Sequence, residues 1–119
     1  MGRRILIVED EQELANLIKN RLEMNEYTAT IASDGLKALE EIRQRSPDLI
    51  ILDIVLPNMD GYTFFKEFKL KYRGNNIPII VLTAKETMTE LFKMEGVEEC
   101  IIKPFDEKKL LEKIKKYLD

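Results

Sequence analysis

The chain of 119 residues contains no histidine, no tryptophan and a single cysteine, Cys100. Without histidine, neither a Ser-His-Asp nor a Cys-His arrangement can operate within the chain, and no histidine-based zinc site can form. One cysteine rules out an internal disulfide and fits a reducing, cytoplasmic compartment. Long apolar runs are also missing. The longest reach about six residues, against the ~20 that a membrane-spanning helix needs, so no membrane insertion is expected. The start, Met1-Gly2-Arg3-Arg4-Ile5, gives way quickly to acids and does not read as a signal peptide. Nor does one sign of charge dominate: 19 basic residues against 22 acidic give a formal charge of −3. A mildly acidic domain is a poor nucleic-acid binder by bulk charge, so no direct nucleic-acid binding is expected.

What is present is one domain's worth of chain. Hydrophobic residues make up 45% and charged residues 34%, which excludes disorder. Area scaling predicts a folded surface of roughly 6,700 Å², about a third of the unfolded value. No linker, repeat or low-complexity tract divides the sequence, so residues 1–119 read as a single domain. Ile5-Leu6-Ile7-Val8, Leu49-Ile50-Ile51-Leu52 and Ile79-Ile80-Val81-Leu82 are continuous apolar runs, the pattern of strands covered on both faces of a parallel sheet. Tyr27 to Ile31 and Cys100 to Ile102 read as shorter edge strands. Between them, apolar residues recur at helical spacing: Leu14, Leu17, Ile18 and Leu22; Leu36, Leu39 and Ile42; Tyr62, Phe65 and Phe68; Leu110, Leu111, Ile114 and Leu118. Met88, Leu91 and Phe92 suggest a shorter fourth helix. Ser33-Asp34-Gly35 and Asn58-Met59-Asp60-Gly61 carry turn and cap chemistry. The spacing predicts a doubly wound (βα)₅ α/β domain with helices on both faces.

In open parallel sheets, ligands bind outside the carboxyl ends of the strands. Glu9 and Asp10 follow the first strand, Asp53 the third, Thr83 the fourth and Lys103 the fifth. Three carboxylates, a hydroxyl and an ammonium should therefore converge. Crowded carboxylates repel one another and call for a cation. Hard oxygen donors without histidine or cysteine favour Mg²⁺, or Mn²⁺, over zinc. Such a site suits phosphoryl transfer, with the central Asp53 as nucleophile. Taken singly, each residue has an ordinary explanation: acids suit a helix start, Asp53 could shape a turn, and Thr83 could cap the following helix. The functional reading rests on their joint placement.

The stretches Ile7-Val8-Glu9-Asp10, Leu52-Asp53 through Asp60-Gly61, Leu82-Thr83-Ala84 and Ile102-Lys103-Pro104-Phe105, in that order, resemble the receiver domain of two-component response regulators over essentially the whole chain. The resemblance implies a flavodoxin-like three-layer sandwich with strand order 2-1-3-4-5. It implies that Asp53 accepts a phosphoryl group from a phosphohistidine on a sensor histidine kinase or a histidine phosphotransfer protein. Asp10, Asp53 and the backbone carbonyl of Val55 would ligate Mg²⁺, with Glu9 acting through water. Lys103 and Thr83 would bind phosphoryl oxygens, and Lys103-Pro104 would be a cis peptide. A homodimer through the fourth and fifth helices is a further expectation. The protein would be a signalling switch, not an enzyme with turnover.

Some residues depart from the family's pattern. Cys100 stands where many receivers carry an aromatic or histidine that changes rotamer, so output is expected to depend on Thr83 and its neighbouring loop; an activated structure with nothing displaced near Thr83 would refute this. The stretch from Thr83 to Lys103 is about two residues short, predicting a short or displaced fourth helix. Val55 and Lys85 stand two residues after Asp53 and Thr83, positions that in similar domains influence attack of water on the acyl phosphate, and an apolar Val55 predicts a fairly long-lived phosphoryl state. Three alternatives stay open. An aspartate-nucleophile phosphatase would want an acid where Val55 stands. A flavin carrier would want a Gly/Ser/Thr-rich loop in place of Glu9-Asp10-Glu11. A receiver-like interaction module would never be phosphorylated.

Overall fold

The computed structural model describes residues 2–84, 86 and 88–119. Five strands alternate with five helices: β1 (Arg4–Val8), α1 (Gln12–Met24), β2 (Thr28–Ala32), α2 (Gly35–Gln44), β3 (Leu49–Asp53), α3 (Gly61–Lys71), β4 (Ile79–Thr83), α4 (Met88–Met94), β5 (Glu99–Ile102) and α5 (Glu107–Leu118). The strands form one sheet in the order β2-β1-β3-β4-β5, and every adjacent pair is parallel. The surface is 6923 Å², close to the value expected from chain mass.

The side-chain period of two divides each central strand between two cores. Ile5, Ile7, Leu49, Ile51, Ile80 and Leu82 face α1 and α5, where Ala15, Ile18, Leu22, Leu110, Ile114 and Leu118 meet them. Leu6, Val8, Ile50, Leu52, Ile79 and Val81 face the opposite way, against Ala38 and Ile42 of α2, Phe64, Phe65 and Phe68 of α3, and Phe92 of α4. The continuous apolar runs follow from this: neither face of β3 or β4 sees water. The edge strands β2 and β5 carry partly exposed residues instead. The three phenylalanines of α3 are fully buried core residues.

Local chemistry sets the helix starts. Asp34, Asp60 and Asp106 cap α2, α3 and α5 by accepting from the backbone N–H groups of Lys37 (2.8 Å), Thr63 (2.8 Å) and Lys108 (2.9 Å). Two expectations shift. Tyr27 precedes β2 rather than opening it; it is buried, and its hydroxyl donates to Asp119 Oδ2 at 3.2 Å. Leu17 and Leu36 keep the helical period yet are 47% and 54% exposed, because an apolar stripe on a half-covered helix is wider than the surface it packs on. At seven residues α4 is short, as anticipated.

Candidate functional site

Parallel pairing brings the ends of the central strands level. Asp53 is the last residue of β3 and pairs with Leu82; Thr83 ends β4 and pairs with Ile102. Lys103 follows directly, and its backbone N–H donates to the Thr83 carbonyl at 2.8 Å. Glu9 leaves β1 with its N–H donated to the Ala32 carbonyl at 3.0 Å. Sheet geometry thus converges residues that are up to 94 positions apart in the chain.

Carboxylate oxygens of Glu9, Asp10 and Asp53 lie within 4.8 Å of one another. Glu9 and Asp53 are buried, at 2% and 6% exposure, whereas Asp10 is exposed. The Lys103 ammonium sits between two of them, 3.2 Å from Asp53 Oδ1 and 3.3 Å from Glu9 Oε1. The Lys103-Pro104 peptide is cis. Burial alone would lower the lysine's pKa, but the Asp53 and Glu9 charges outweigh it and hold the ammonium above its ordinary range. The same crowding acts oppositely on Glu9. Burial first, then the Asp53 charge, push its carboxyl up to about 7, against the pull of the Glu11 N–H and Lys103. Three carboxylates against one ammonium leave an uncompensated negative charge. Oxygen donors alone, one of them open to solvent, fit a hard divalent cation that keeps part of its water shell.

Beside this cluster opens a cavity of about 280 Å³, lined by Asp53, Ile54, Val55, Thr83, Ala84, Met88 and Lys103. Thr83 is buried and is the last residue of β4. Val55 places its side chain in solvent, 72% exposed. Lys85 lies outside the described residues. Cys100 pairs with Val81 in the sheet and packs on the α4 side. Its sulfur is 3.9 Å from the Thr89 carbonyl, and burial raises its thiol pKa. It is an ordinary strand residue.

The loop from β3 to α3 is fixed at both ends. Gly61 N–H donates to the Ile54 carbonyl at 2.7 Å, and a Cβ on Gly61 would strike the Asp53 carbonyl and come within 2.6 Å of Ile54 Cα. Only glycine permits this approach. At the tip, Asn58 adopts a left-handed φ of 63°, and its Nδ2 donates to Asp34 Oδ2 at 2.7 Å. Sequence reading assigned Asp34 and Asn58 only to local turns. Their pairing across 24 residues has no sequence signal, whereas the ion pair between Glu9 and Lys103 falls within the convergence expected at the strand ends.

The family model described as response regulator receiver domain matches residues 5–115. Over 117 residues the chain is 39% identical to the transcriptional regulatory protein BaeR of Escherichia coli O6:H1, covering 97% of this chain and 48% of that protein. It is 33% identical over 120 residues to the response regulator MprA of Mycobacterium ulcerans, covering 99% of this chain and 51% of that one. The chain therefore spans about half the length of these curated relatives. Among solved structures, the receiver domain of a sensor histidine kinase from Pseudomonas aeruginosa PAO1 superposes with a TM-score of 0.87 at 29% identity, covering 98% of each chain. That crystal structure has a magnesium ion coordinated in its active site cleft.

Proposed function

The chain belongs to the receiver-domain family of two-component response regulators, and on that premise we propose that residues 1–119 form one receiver domain in which Asp53 is the phosphoacceptor. The observation that carries this reading is the placement of a buried carboxylate at the end of β3, 3.2 Å from a lysine ammonium and facing an open cavity beside two further acids. The donor is a phosphohistidine on a sensor kinase or phosphotransfer protein, which accounts for a chain without histidine of its own.

In the proposed reaction a carboxylate oxygen of Asp53 attacks the phosphorus. The P–N bond breaks, its electron pair stays with the donor imidazole, which takes up a proton, and an acyl phosphate forms on Asp53. Asp10, Asp53 and the Val55 carbonyl would hold Mg²⁺, with Glu9 acting through water. When bound, the cation neutralises charge on the transferring phosphoryl oxygens. Lys103 supplies a fixed positive charge and would shift from Asp53 Oδ1 to a phosphoryl oxygen. The Thr83 hydroxyl binds another. The product carries about −1.5 to −2 additional charge, and contacts made only to it shift the domain between two pre-existing populations. With Cys100 in β5, that shift is read through Thr83 and the start of α4 rather than through an aromatic rotamer.

No helix among the described residues is long and apolar enough to cross a membrane. Cytoplasmic residence, a homodimer through α4 and α5, and output through protein contacts rather than direct nucleic-acid binding complete the reading. On α5, Lys113 and Lys116 pair with Glu99 while Lys108, Lys109 and Lys115 remain exposed. The test is intact-protein mass after incubation with Mg²⁺ and acetyl phosphate. A gain of roughly 80 Da, absent from Asp53→Asn, is the expected outcome for an acyl phosphate on Asp53. An equal gain in Asp53→Asn would refute the assignment.

A further inference from the structure

Asp34 belongs to the β2–α2 turn and is not part of the acidic cluster, yet it is 3% exposed and both of its oxygens are engaged. Oδ1 accepts the Lys37 N–H that starts α2, and Oδ2 accepts from Asn58 Nδ2. These bonds hold its carboxyl below the ordinary range, the Lys37 N–H contributing most and Asn58 next. A second link lies one residue on: Gly35 N–H donates to the Met59 carbonyl at 3.3 Å, so close that a Cβ on Gly35 would sit 2.9 Å from Met59 atoms. At its other end the same turn is fastened to the acidic cluster, since Ala32 accepts from the Glu9 N–H. The β2–α2 turn therefore bridges the two loops that carry the acids, and it grips the β3–α3 loop at its tip. The neck of that loop is closed by Gly61 and Ile54. Val55 lies between the two anchors.

We propose that Asp34 is a positioning residue for the metal site: by gripping Asn58 it holds the β3–α3 loop in the conformation that presents the Val55 carbonyl, and so sets the affinity for Mg²⁺. The proposal rests on the metal ligation assigned above. A left-handed residue at a loop tip is held only by the contacts around it. Without the grip, the loop must be ordered at the expense of metal binding. Partners that orient a metal's ligands characteristically change affinity by about 10–100-fold when altered.

The test is calorimetric titration of Mg²⁺ into the whole chain. Asn58→Asp replaces the bond by two facing carboxylates while tolerating the left-handed conformation. The double exchange Asp34→Asn with Asn58→Asp restores a donor and an acceptor and the original net charge, and asparagine caps α2 as well as aspartate does. Expected are a loss of about tenfold or more in Mg²⁺ affinity for Asn58→Asp and recovery in the double variant, with a lowered melting temperature for folded Asn58→Asp and one near the wild type for the double variant. A bare negative charge near the site would strengthen cation binding, so the sign itself separates positioning from electrostatics. Asn58→Gly, which keeps the backbone conformation and deletes the donor, is expected to weaken binding in the same direction and covers the case in which Asn58→Asp folds poorly. Mg²⁺ affinity unchanged or increased in Asn58→Asp, or left weak in a folded double variant, overturns the proposal while the metal site stands. A wild-type chain that takes up no Mg²⁺ overturns both.

Discussion

Glu9 offers a direct measurement of what the acidic cluster costs the fold. In the metal-free protein, burial and the Asp53 charge raise its carboxyl from 4.5 to about 7. Between those values the folded chain keeps a proton that the unfolded chain has released. Stability therefore falls as pH rises through this window and is level above it. At about 1.4 kcal/mol per pH unit, the displacement corresponds to about 3 kcal/mol at pH 8. Other shifted groups stay clear of the window. Asp34 and Glu99 are shifted below the ordinary carboxylate range, and Lys103 is raised above 10.5. Glu9→Gln keeps the shape, removes the charge and forfeits part of the attraction to Lys103. Its expected gain in the presence of a chelator is about 1–3 kcal/mol at pH 8, or about 4–10 °C in melting temperature, shrinking toward zero at pH 5. Urea denaturation followed by far-ultraviolet circular dichroism from pH 5 to 8 measures both proteins. Added Mg²⁺ at pH 8 should stabilise both proteins, and the wild type more, since the variant keeps Asp10, Asp53 and the Val55 carbonyl but loses the charge of Glu9. A Glu9→Gln protein no more stable than wild type at pH 8, or a wild type that gains stability between pH 5 and 7, would show that the cluster is not strained.

Two further perturbations follow from the β3–α3 loop. Gly61→Ala forces a methyl group against the Asp53 carbonyl and Ile54 Cα, and should destabilise by about 2–3 kcal/mol in urea; a cost below measurement would mean that the loop yields there. Val55→Asn places a hydrogen-bonding group where the wild type offers an apolar one, and the phosphoryl group on Asp53 should then be lost several-fold faster, as followed by intact mass over time. An unchanged lifetime would leave the exposed valine without a role in excluding or ordering water.

The parts of this structure visible in the sequence are those set by periodicity. β1, β3 and β4 announced themselves because both faces of each are buried, and the edge positions of β2 and β5 followed from their weaker runs. Asp10, Asp53, Thr83 and Lys103 could be placed near one another because a parallel sheet aligns whatever follows its strands. What periodicity does not encode is which partners side chains choose once assembled. Asp34 looked like a helix cap and is one, but its second oxygen serves a loop 24 residues away. Glu9 looked like a metal ligand through water, and it also meets Lys103 directly. Leu17 and Leu36 kept the helical spacing of core residues and remain exposed, because spacing reports the face of a helix and not the reach of the surface beneath it.

The unequal attachment of α3 and α4 gives the domain a direction of mechanical compliance. Gly61 seats the start of α3 directly on the backbone of Asp53, and Phe64, Phe65 and Phe68 bind the rest of that helix to the sheet. On the far side of the cavity, α4 is seven residues long and contributes one fully buried side chain, Phe92, to the core. An acyl phosphate would be formed at a residue that cannot recoil. The stress of the added group must then be relieved where stiffness is lowest, and elements with few buried contacts open at the smallest free-energy cost. Asp53 thus stands against a rigid wall, and work done on the site by an acyl phosphate would be delivered toward α4.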